Sequence, residues 1–209
     1  MEETASGCGG AHVAVCDVRD RRSVDEAFAG AVAASGQVHA LVAVSGIGGG
    51  NVPGDADRWD DLVATNLSGT YWCLRAAERH LAEGPDERQF VVISSILARI
   101  AVPGYTGYSA SKAGLLGLVR SLAAELAPRN VQVNAICPGW VETEMAWRGL
   151  DAIEGKTRAE AYADAMREVP LGRMAQPEDI AGTVAWLLSP DARGVTGQAI
   201  DHNNGAFMN

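Results

Sequence analysis

The stretch Phe90-Val91-Val92-Ile93-Ser94-Ser95 is a short apolar run that ends in two hydroxyl-bearing residues. Its β-branched residues favour a strand, and the lack of polar alternation predicts that both faces of this strand are buried. Similar runs occur elsewhere, so that five strands are predicted, at residues 12–18, 40–44, 90–94, 132–137 and 198–201. Strands that are buried on both faces are typical of a parallel sheet.

Longer amphipathic runs separate these strands and predict helices at residues 23–34, 59–83, 108–127, 158–168 and 177–188. Several begin with residues that favour the N-cap or first helical position. Strict alternation of strands and helices implies right-handed crossovers, with helices on both faces of the sheet. The predicted fold class is therefore α/β with a doubly wound parallel sheet, in a single domain over residues 1–209.

Three residues come directly after predicted strands, namely Ser45, Ser95 and Pro138. In open sheets of this class, ligands bind beyond the carboxyl ends of the strands. We therefore expect these three residues to line one crevice and the chemistry to take place there.

The composition excludes several classes of partner. A formal net charge of -9 argues against binding to nucleic acid, which needs clustered Lys and Arg. The longest apolar stretches, such as residues 38–44, are too short to span a bilayer, and no export signal is visible. The four cysteines form no CxxC pair, so we expect neither disulfides nor a metal site, and a cytoplasmic location.

Tyr108 and Lys112 lie one turn apart near the start of a predicted helix, in the sequence Tyr108-Ser109-Ala110-Ser111-Lys112. A cation near a phenol favours the phenolate and lowers the pKa of the phenol, which makes it a better proton donor to a carbonyl oxygen near neutral pH. By itself such a pair is more often two exposed side chains on a helix.

Two further residues make the Tyr108–Lys112 pair more informative. Ser95 lies 13 residues before Tyr108, at a strand end from which its hydroxyl could hydrogen-bond the oxygen that Tyr108 protonates. Asn66 lies in a helix otherwise rich in Leu, Val and Ala, so its buried amide must find hydrogen-bond partners.

Together, Asn66, Ser95, Tyr108 and Lys112 resemble the catalytic tetrad of the short-chain dehydrogenase/reductase family. The resemblance covers nearly the whole chain, including Asn134-Ala-Ile-Cys-Pro138-Gly139 and Gly194-Val-Thr-Gly-Gln198. It implies a Rossmann-like three-layer sandwich and hydride transfer from a nicotinamide cofactor. Tyr108 would be the general acid, Lys112 would bind the nicotinamide ribose and lower the pKa of Tyr108, Ser95 would orient the carbonyl, and Asn66 would help to hold a water molecule that relays protons.

The same resemblance implies which residues bind the cofactor. These expected cofactor-binding residues are Asp17, Val18, Ser45, Gly46, Tyr108, Lys112, Pro138, Gly139, Val141 and Thr143. NADPH is the expected cofactor, with NAD not excluded. The resemblance also implies a homodimer or homotetramer, because the predicted helices at 59–83 and 108–127 correspond to those that pair across subunits.

Within the family, residues 138–145 and 169–179 look most like 3-oxoacyl-carrier-protein reductases and aromatic polyketide ketoreductases. Residues 146–167 between them would form a substrate lid over a small-molecule or carrier-protein-bound ketone. Met145, Trp147 and Met166 suit an apolar or aromatic substrate, or else they pack the lid on the body of the protein.

Two features depart from the family pattern. Members begin with a βαβ unit that contains a TGxxxGxG turn, and nothing here corresponds to it. The turn at Ala43-Val44-Ser45-Gly46 replaces the usual Asn-Asn-Ala-Gly. Three explanations of the absent unit are open: the chain is a truncated part of a longer protein, which we favour, the strand at 12–18 has re-paired directly with the strand at 40–44, or another chain completes the sheet.

Two functional hypotheses follow. The first is an NAD(P)H-dependent ketoreductase that converts a 3-oxoacyl or polyketide-type ketone to a secondary alcohol, as the intact tetrad indicates. The second is a cofactor-free relative that acts as a scaffold, a binding subunit or a non-redox catalyst, as the absent phosphate-binding turn indicates.

Overall fold

A computed structural model describes residues 7–9, 11–84, 86 and 88–208. Its sheet has four parallel strands in the order β1-β2-β3-β4, which is also their order along the chain. The strands are β1 Ala40–Ala43, β2 Arg88–Ile93, β3 Val131–Pro138 and β4 Ala199–His202. Four of the five predicted strands are therefore confirmed, each within two residues of its predicted bounds.

Seven α-helices are described, and all five predicted helices are among them. They are α1 Arg21–Ser35, α2 Trp59–Val63, α3 Thr70–Arg79, α4 Thr106–Leu126, α5 Glu144–Asp151, α6 Arg158–Arg167 and α7 Pro177–Leu187. A π-helical turn, Ala64–Gly69, joins α2 and α3 into one helical run. This run ends at Arg79 rather than at the predicted residue 83, and α5 was not predicted.

Side chains of β2 alternate between two apolar layers. Phe90 and Val92 pack with α3 and α4 on one face, whereas Val91 and Ile93 pack with α7 on the other. Phe90, Val91 and Val92 are fully buried. The structure thus has helices on both faces of the parallel sheet, and the predicted doubly wound α/β class is confirmed.

The predicted strand at 12–18 is wrong. Residues 11–17 form neither helix nor strand, and Val15 is 83% exposed. A strand needs a neighbour to pair its backbone N–H and C=O groups, and no described strand pairs with this segment. The alternative in which it re-pairs directly with the strand at 40–44 is therefore also wrong.

Strand β1 forms one edge of the described sheet, because its only ladder is with β2. It is four residues long and only partly buried, and Val44 directly after it is 63% exposed. The loop that follows, residues 44–58, runs from this edge to the start of α2. None of the described helices is long and apolar enough to cross a membrane.

Candidate active site

The carboxyl end of β2 is hydrogen-bonded to α4 at Lys112. The Ser94 hydroxyl donates to the Lys112 carbonyl oxygen at 2.9 Å. Ser95 has extended backbone, and its hydroxyl oxygen accepts a hydrogen bond from the Leu97 N–H at 3.1 Å, which caps a 3-10 turn. The Ser94 bond holds the strand end against the helix that carries Tyr108 and Lys112.

Tyr108 and Lys112 face the same side of α4, as predicted from their spacing. The Lys112 Nζ lies 5.8 Å from the centre of the Tyr108 ring and donates to the Ile93 carbonyl oxygen at 2.9 Å. Lys112 is only 5% exposed. Its ammonium group is therefore held at the end of β2, beside the phenol.

Burial is the main cause of the pKa shifts of Tyr108 and Lys112. Burial lowers the pKa of Lys112 to about 8. Burial also raises the pKa of the Tyr108 phenol, and a hydrogen bond with the Ser95 side chain acts in the opposite direction but is weaker. The expected lowering of the Tyr108 pKa by Lys112 is not seen in this arrangement, where desolvation of the phenol is the largest influence and raises its pKa.

Asn66 is fully buried in the π-helical turn, and its amide is satisfied as the sequence required. Its Oδ1 accepts from the Ile47 N–H at 2.8 Å, and its Nδ2 donates to the Ile47 carbonyl oxygen at 3.0 Å and to the Ser111 hydroxyl at 3.1 Å. Asn66 therefore fastens the loop after β1 to α4. Single π-turns inside α-helices occur frequently at functional sites.

Gly46 brings the loop after β1 close to the buried polar groups. A Cβ at this position would lie 3.1 Å from Asn66 Oδ1 and 3.4 Å from Lys112 Nζ. A larger residue would press on both side chains, which explains why glycine suits this position. Ser45, just before it, is exposed.

The segment after β3 follows the predicted path along the carboxyl edge. Gly139 passes so close to β4 that a Cβ there would lie 3.0 Å from Asn203 Cβ, and Pro138 ends β3. Val141 makes a parallel bridge with Ala175. The Thr143 hydroxyl caps α5 by accepting from the Ala146 N–H at 3.4 Å.

The predicted lid, residues 146–167, consists largely of α5 and α6. Met166 is buried in an apolar cluster within this segment, and Trp147 packs on that cluster and stacks on Tyr162 with ring centres 5.7 Å apart. The side chains of Met166 and Trp147 therefore pack within the apolar cluster of this segment. Met145 is 48% exposed and touches the loop after β1, since a Cβ at Gly48 would lie 2.7 Å from its Sδ.

Val18 lies beside the helical run, and Asp17, directly before it in the chain, is exposed. Val18 packs on Gly69, where a Cβ would lie 2.8 Å from Val18 Cγ2. Hydrogen bonds from Arg19 lower the pKa of the Asp17 carboxyl to about 2. Val18 thus contacts the same helical run as Asn66, one turn further along.

Two polar residues of the site were missed by the sequence reasoning. Ser111 bridges Asn66 to α4, since it accepts from Asn66 and donates to the Tyr108 carbonyl oxygen at 2.7 Å. Asn51 is buried and contacts the start of α4. Ser111 lies inside the Tyr108–Lys112 motif, which could have revealed it, but nothing local marks Asn51 as different from an ordinary loop residue.

The structure therefore brings Asn66, Ser95, Tyr108 and Lys112 together at the carboxyl ends of β1 and β2. A doubly wound parallel sheet with a serine, a tyrosine and a buried lysine at this edge defines a Rossmann-like α/β protein with a polar site for a small molecule.

Comparisons with known proteins agree with this class. The family model described as enoyl-(acyl carrier protein) reductase matches residues 1–206. A Streptomyces virginiae protein named as a ketoacyl reductase of the monensin polyketide synthase is 36% identical over 193 residues, which are 90% of this chain and 74% of that protein. The 3-oxoacyl-(acyl-carrier-protein) reductase FabG of Staphylococcus aureus is 37% identical over 153 residues.

That match to the Staphylococcus aureus protein covers 72% of this chain and only 58% of the relative. Among solved structures, an actinorhodin polyketide ketoreductase variant crystallised with NADPH has a TM-score of 0.83 and 34% identity, and the match covers 91% of this chain and 76% of that one. The chain belongs to the short-chain dehydrogenase/reductase family.

Proposed function

We propose that this chain carries the catalytic part of a ketoreductase that reduces a 3-oxoacyl or polyketide-type ketone to a secondary alcohol. The observation that carries the proposal is the placement of Ser95, Tyr108 and buried Lys112 at one strand end, where the Ser95 and Tyr108 side chains are hydrogen-bonded. The names of the Streptomyces and Staphylococcus relatives support a ketone on an acyl chain, free or bound to a carrier protein.

The nicotinamide end of the cofactor fits the described residues. An ammonium group has three N–H donors, and among the described residues Lys112 Nζ uses only Ile93 as acceptor, which leaves donors for a ribose hydroxyl. The segment from Pro138 to Thr143 follows the same edge of the sheet. The sequence has no TGxxxGxG turn for the pyrophosphate, so this fit concerns one end of the cofactor only.

When bound, the nicotinamide would supply a hydride to the carbonyl carbon. The Ser95 hydroxyl would hydrogen-bond the carbonyl oxygen and orient it, and the Tyr108 phenol would donate its proton to the same oxygen. The raised pKa of Tyr108 keeps the phenol protonated for this step. Lys112 would hold the ribose, and its positive charge would stabilise the phenolate that remains.

We propose NADPH rather than NAD, because the similar actinorhodin ketoreductase was crystallised with NADPH. We further propose a cytoplasmic homodimer or homotetramer that pairs through the helical run and α4. Its free cysteine thiols and the partly exposed Tyr71 and Trp72 on α3 support these two proposals.

The test is reduction of a short 3-oxoacyl thioester, followed by the loss of NADPH absorbance. Tyr108→Phe should reduce the rate at least about 100-fold with the fold intact, because it removes the proton donor. Tyr105→Phe is the matched control and should retain activity. Equal activity in the Tyr108→Phe and parent chains would contradict the proposed role.

A second candidate, a cofactor-free scaffold, binding subunit or non-redox catalyst, is favoured by the unpaired segment at residues 11–17 and by the lack of the glycine turn. It predicts a folded chain without affinity for NADPH. The ketoreductase proposal predicts saturable binding.

A further inference from the structure

The start of α4 receives its cap from a distant loop. The helix begins at Thr106, and the residue at its N-cap position, Tyr105, makes no side-chain capping bond. Instead the Gly107 N–H donates to Asn51 Oδ1 at 2.8 Å, and the Thr106 hydroxyl donates to the same oxygen at 3.1 Å. The first N–H groups of a helix have no partner within it, so Asn51 satisfies a group that would otherwise be buried and unpaired.

The other end of the Asn51 amide reaches a second helix cap. Asn51 Nδ2 donates to Asp57 Oδ1 at 3.1 Å, and that oxygen also accepts from the Trp59 N–H at 3.0 Å, at the first residue of α2. One amide thus links the start of α4, which carries Tyr108, to the start of the helical run that carries Asn66.

The backbone around Asn51 leaves this amide little freedom. The Asn51 N–H donates to the Gly104 carbonyl oxygen at 2.8 Å. The chain passes so close there that a Cβ at Gly50 would lie 2.8 Å from that oxygen. Asn51 is only 8% exposed. Both its backbone and its side chain therefore bind the few residues that lead into Tyr108.

We propose that Asn51 is a positioning residue that sets the place of Tyr108 relative to Ser95 and Asn66 by capping α4 and linking it to Asp57. The inference rests on the proposed ketone reduction for its kinetic consequence. Asn51 acts through Gly107, the residue directly before Tyr108, and its described hydrogen bonds go to none of the proposed catalytic side chains. Ser95 belongs to another element, so a small shift of the α4 start changes the distance between the two hydroxyl groups.

The first experiment compares Asn51→Ala with the parent chain in NADPH-dependent reduction of a short 3-oxoacyl thioester. A misplacement of about 1 Å at a reacting group can cost about 100-fold in rate, so we expect kcat to fall about 10- to 100-fold. The KM for NADPH should stay within about threefold, because Asn51 makes no contact with the proposed ribose site. Asp55→Asn, an exposed change in the same loop, should leave both constants unchanged.

Exchange of the two partners provides a rescue test. Asn51→Asp places a carboxylate against Asp57 and loses the donor to it, so kcat should fall as in Asn51→Ala. The pair Asn51→Asp and Asp57→Asn restores one donor and one acceptor between these positions, and a carboxylate still caps α4. We expect the double variant to regain kcat to within about threefold of the parent value.

A spectroscopic readout separates this inference from the proposed function. The chain has four tyrosines, so the 13Cζ resonance of Tyr108 can be assigned by comparison with Tyr108→Phe. Asn51→Ala should shift the Tyr108 resonance and leave that of Tyr162 in α6 unchanged. The double variant should return the Tyr108 resonance to its parent position. If the parent chain reduces no ketone, the proposed function fails while this measurement still decides the role of Asn51.

An unchanged Tyr108 resonance in Asn51→Ala would overturn the inference. A general loss of structure, seen as shifts in all four tyrosine resonances without rescue by the double variant, would overturn it too, because Asn51 would then serve folding alone. A fall in kcat that the exchanged pair does not reverse would also contradict it.

Discussion

The inner strand β3 and the edge strand β1 differ in how deeply they are buried. β3 is buried at all eight of its positions, whereas β1 is exposed or partly buried at all four. Residues 11–17 are richer in valine and alanine than β3, yet Val15 is 83% exposed and no described strand pairs with this segment. An apolar β-branched run therefore becomes a buried strand only where neighbours on both sides satisfy its backbone.

The residues of the candidate site also differ in how deeply they are packed. Ser95, Tyr108 and Lys112 stand on the densely packed side, at the end of β2 and on α4. Asp17 is exposed, and Val18 next to it packs on the helical run through Gly69. The groups proposed for proton transfer are thus held by the core, whereas Asp17 and Val18, which are expected to bind the cofactor, depend on a few surface contacts.

The largest expected difference between the two sides is in stability. Phe90→Ala should lower the free energy of unfolding by about 3–5 kcal/mol, because it removes a fully buried aromatic side chain between α3 and α4. Val15→Ala should change it by less than about 0.5 kcal/mol. Urea denaturation of the two variants checks this, and equal losses would show that residues 11–17 are packed into the core.

The next largest expected effect is the pH dependence of stability that arises from the buried Lys112 ammonium group. The folded-state pKa of Lys112 is lowered to about 8, so the folded chain loses this proton at a lower pH than the unfolded chain does. The unfolded chain binds more protons between about pH 8 and pH 10.4, so stability rises with pH there, by up to about 3 kcal/mol from this group. Below pH 8 the full cost of burying the charge is present.

Lys112→Met removes this titration at similar side-chain length. The gain in unfolding free energy of Lys112→Met over the parent should therefore be largest at pH 7 and shrink toward pH 10. Lys156→Met, at an exposed ion pair, is the control and should show no such trend. A gain that stays constant with pH would mean that the Lys112 pKa is not lowered by burial.

The smallest effect tests the packing of Val18. Gly69→Ala adds a Cβ that would meet Val18 at 2.8 Å, whereas Gly182→Ala in α7 meets nothing within 4 Å. Gly182→Ala should stabilise the chain by about 0.5–1 kcal/mol, through helix propensity. We expect Gly69→Ala to give none of this gain. If the two variants gain equally in thermal denaturation, Val18 is not held against the helical run.

The order of elements could be predicted from the sequence, because β2, β3 and the helices between them carry clear periodicities. The placement of Tyr108 and Lys112 on one face of α4 followed from helical geometry, and Ser95 from the rule that ligands bind at strand ends. The buried amide of Asn66 was also expected to be satisfied. Its partners, Ile47 and Ser111, could not be named from the sequence, since both bonds join distant elements.

Other features depend on contacts that no local pattern reveals. The run at 12–18 has the composition of a strand, and only the lack of a neighbour prevents it from forming one. Desolvation raises the pKa of Tyr108, and its extent depends on how the surrounding elements pack around the phenol. Asn51 has the sequence context of an ordinary loop residue, and only its hydrogen bond with Gly107 at the start of α4 reveals its role.

The central claim is that the well-packed edge at β2 and α4 binds the nicotinamide end of the cofactor, and titration with NADPH tests it most directly. We expect a saturable change in nicotinamide fluorescence, weakened in Lys112→Met and unchanged in Lys156→Met. A folded chain that shows no saturable change, or one whose binding is the same in both variants, would contradict the claim.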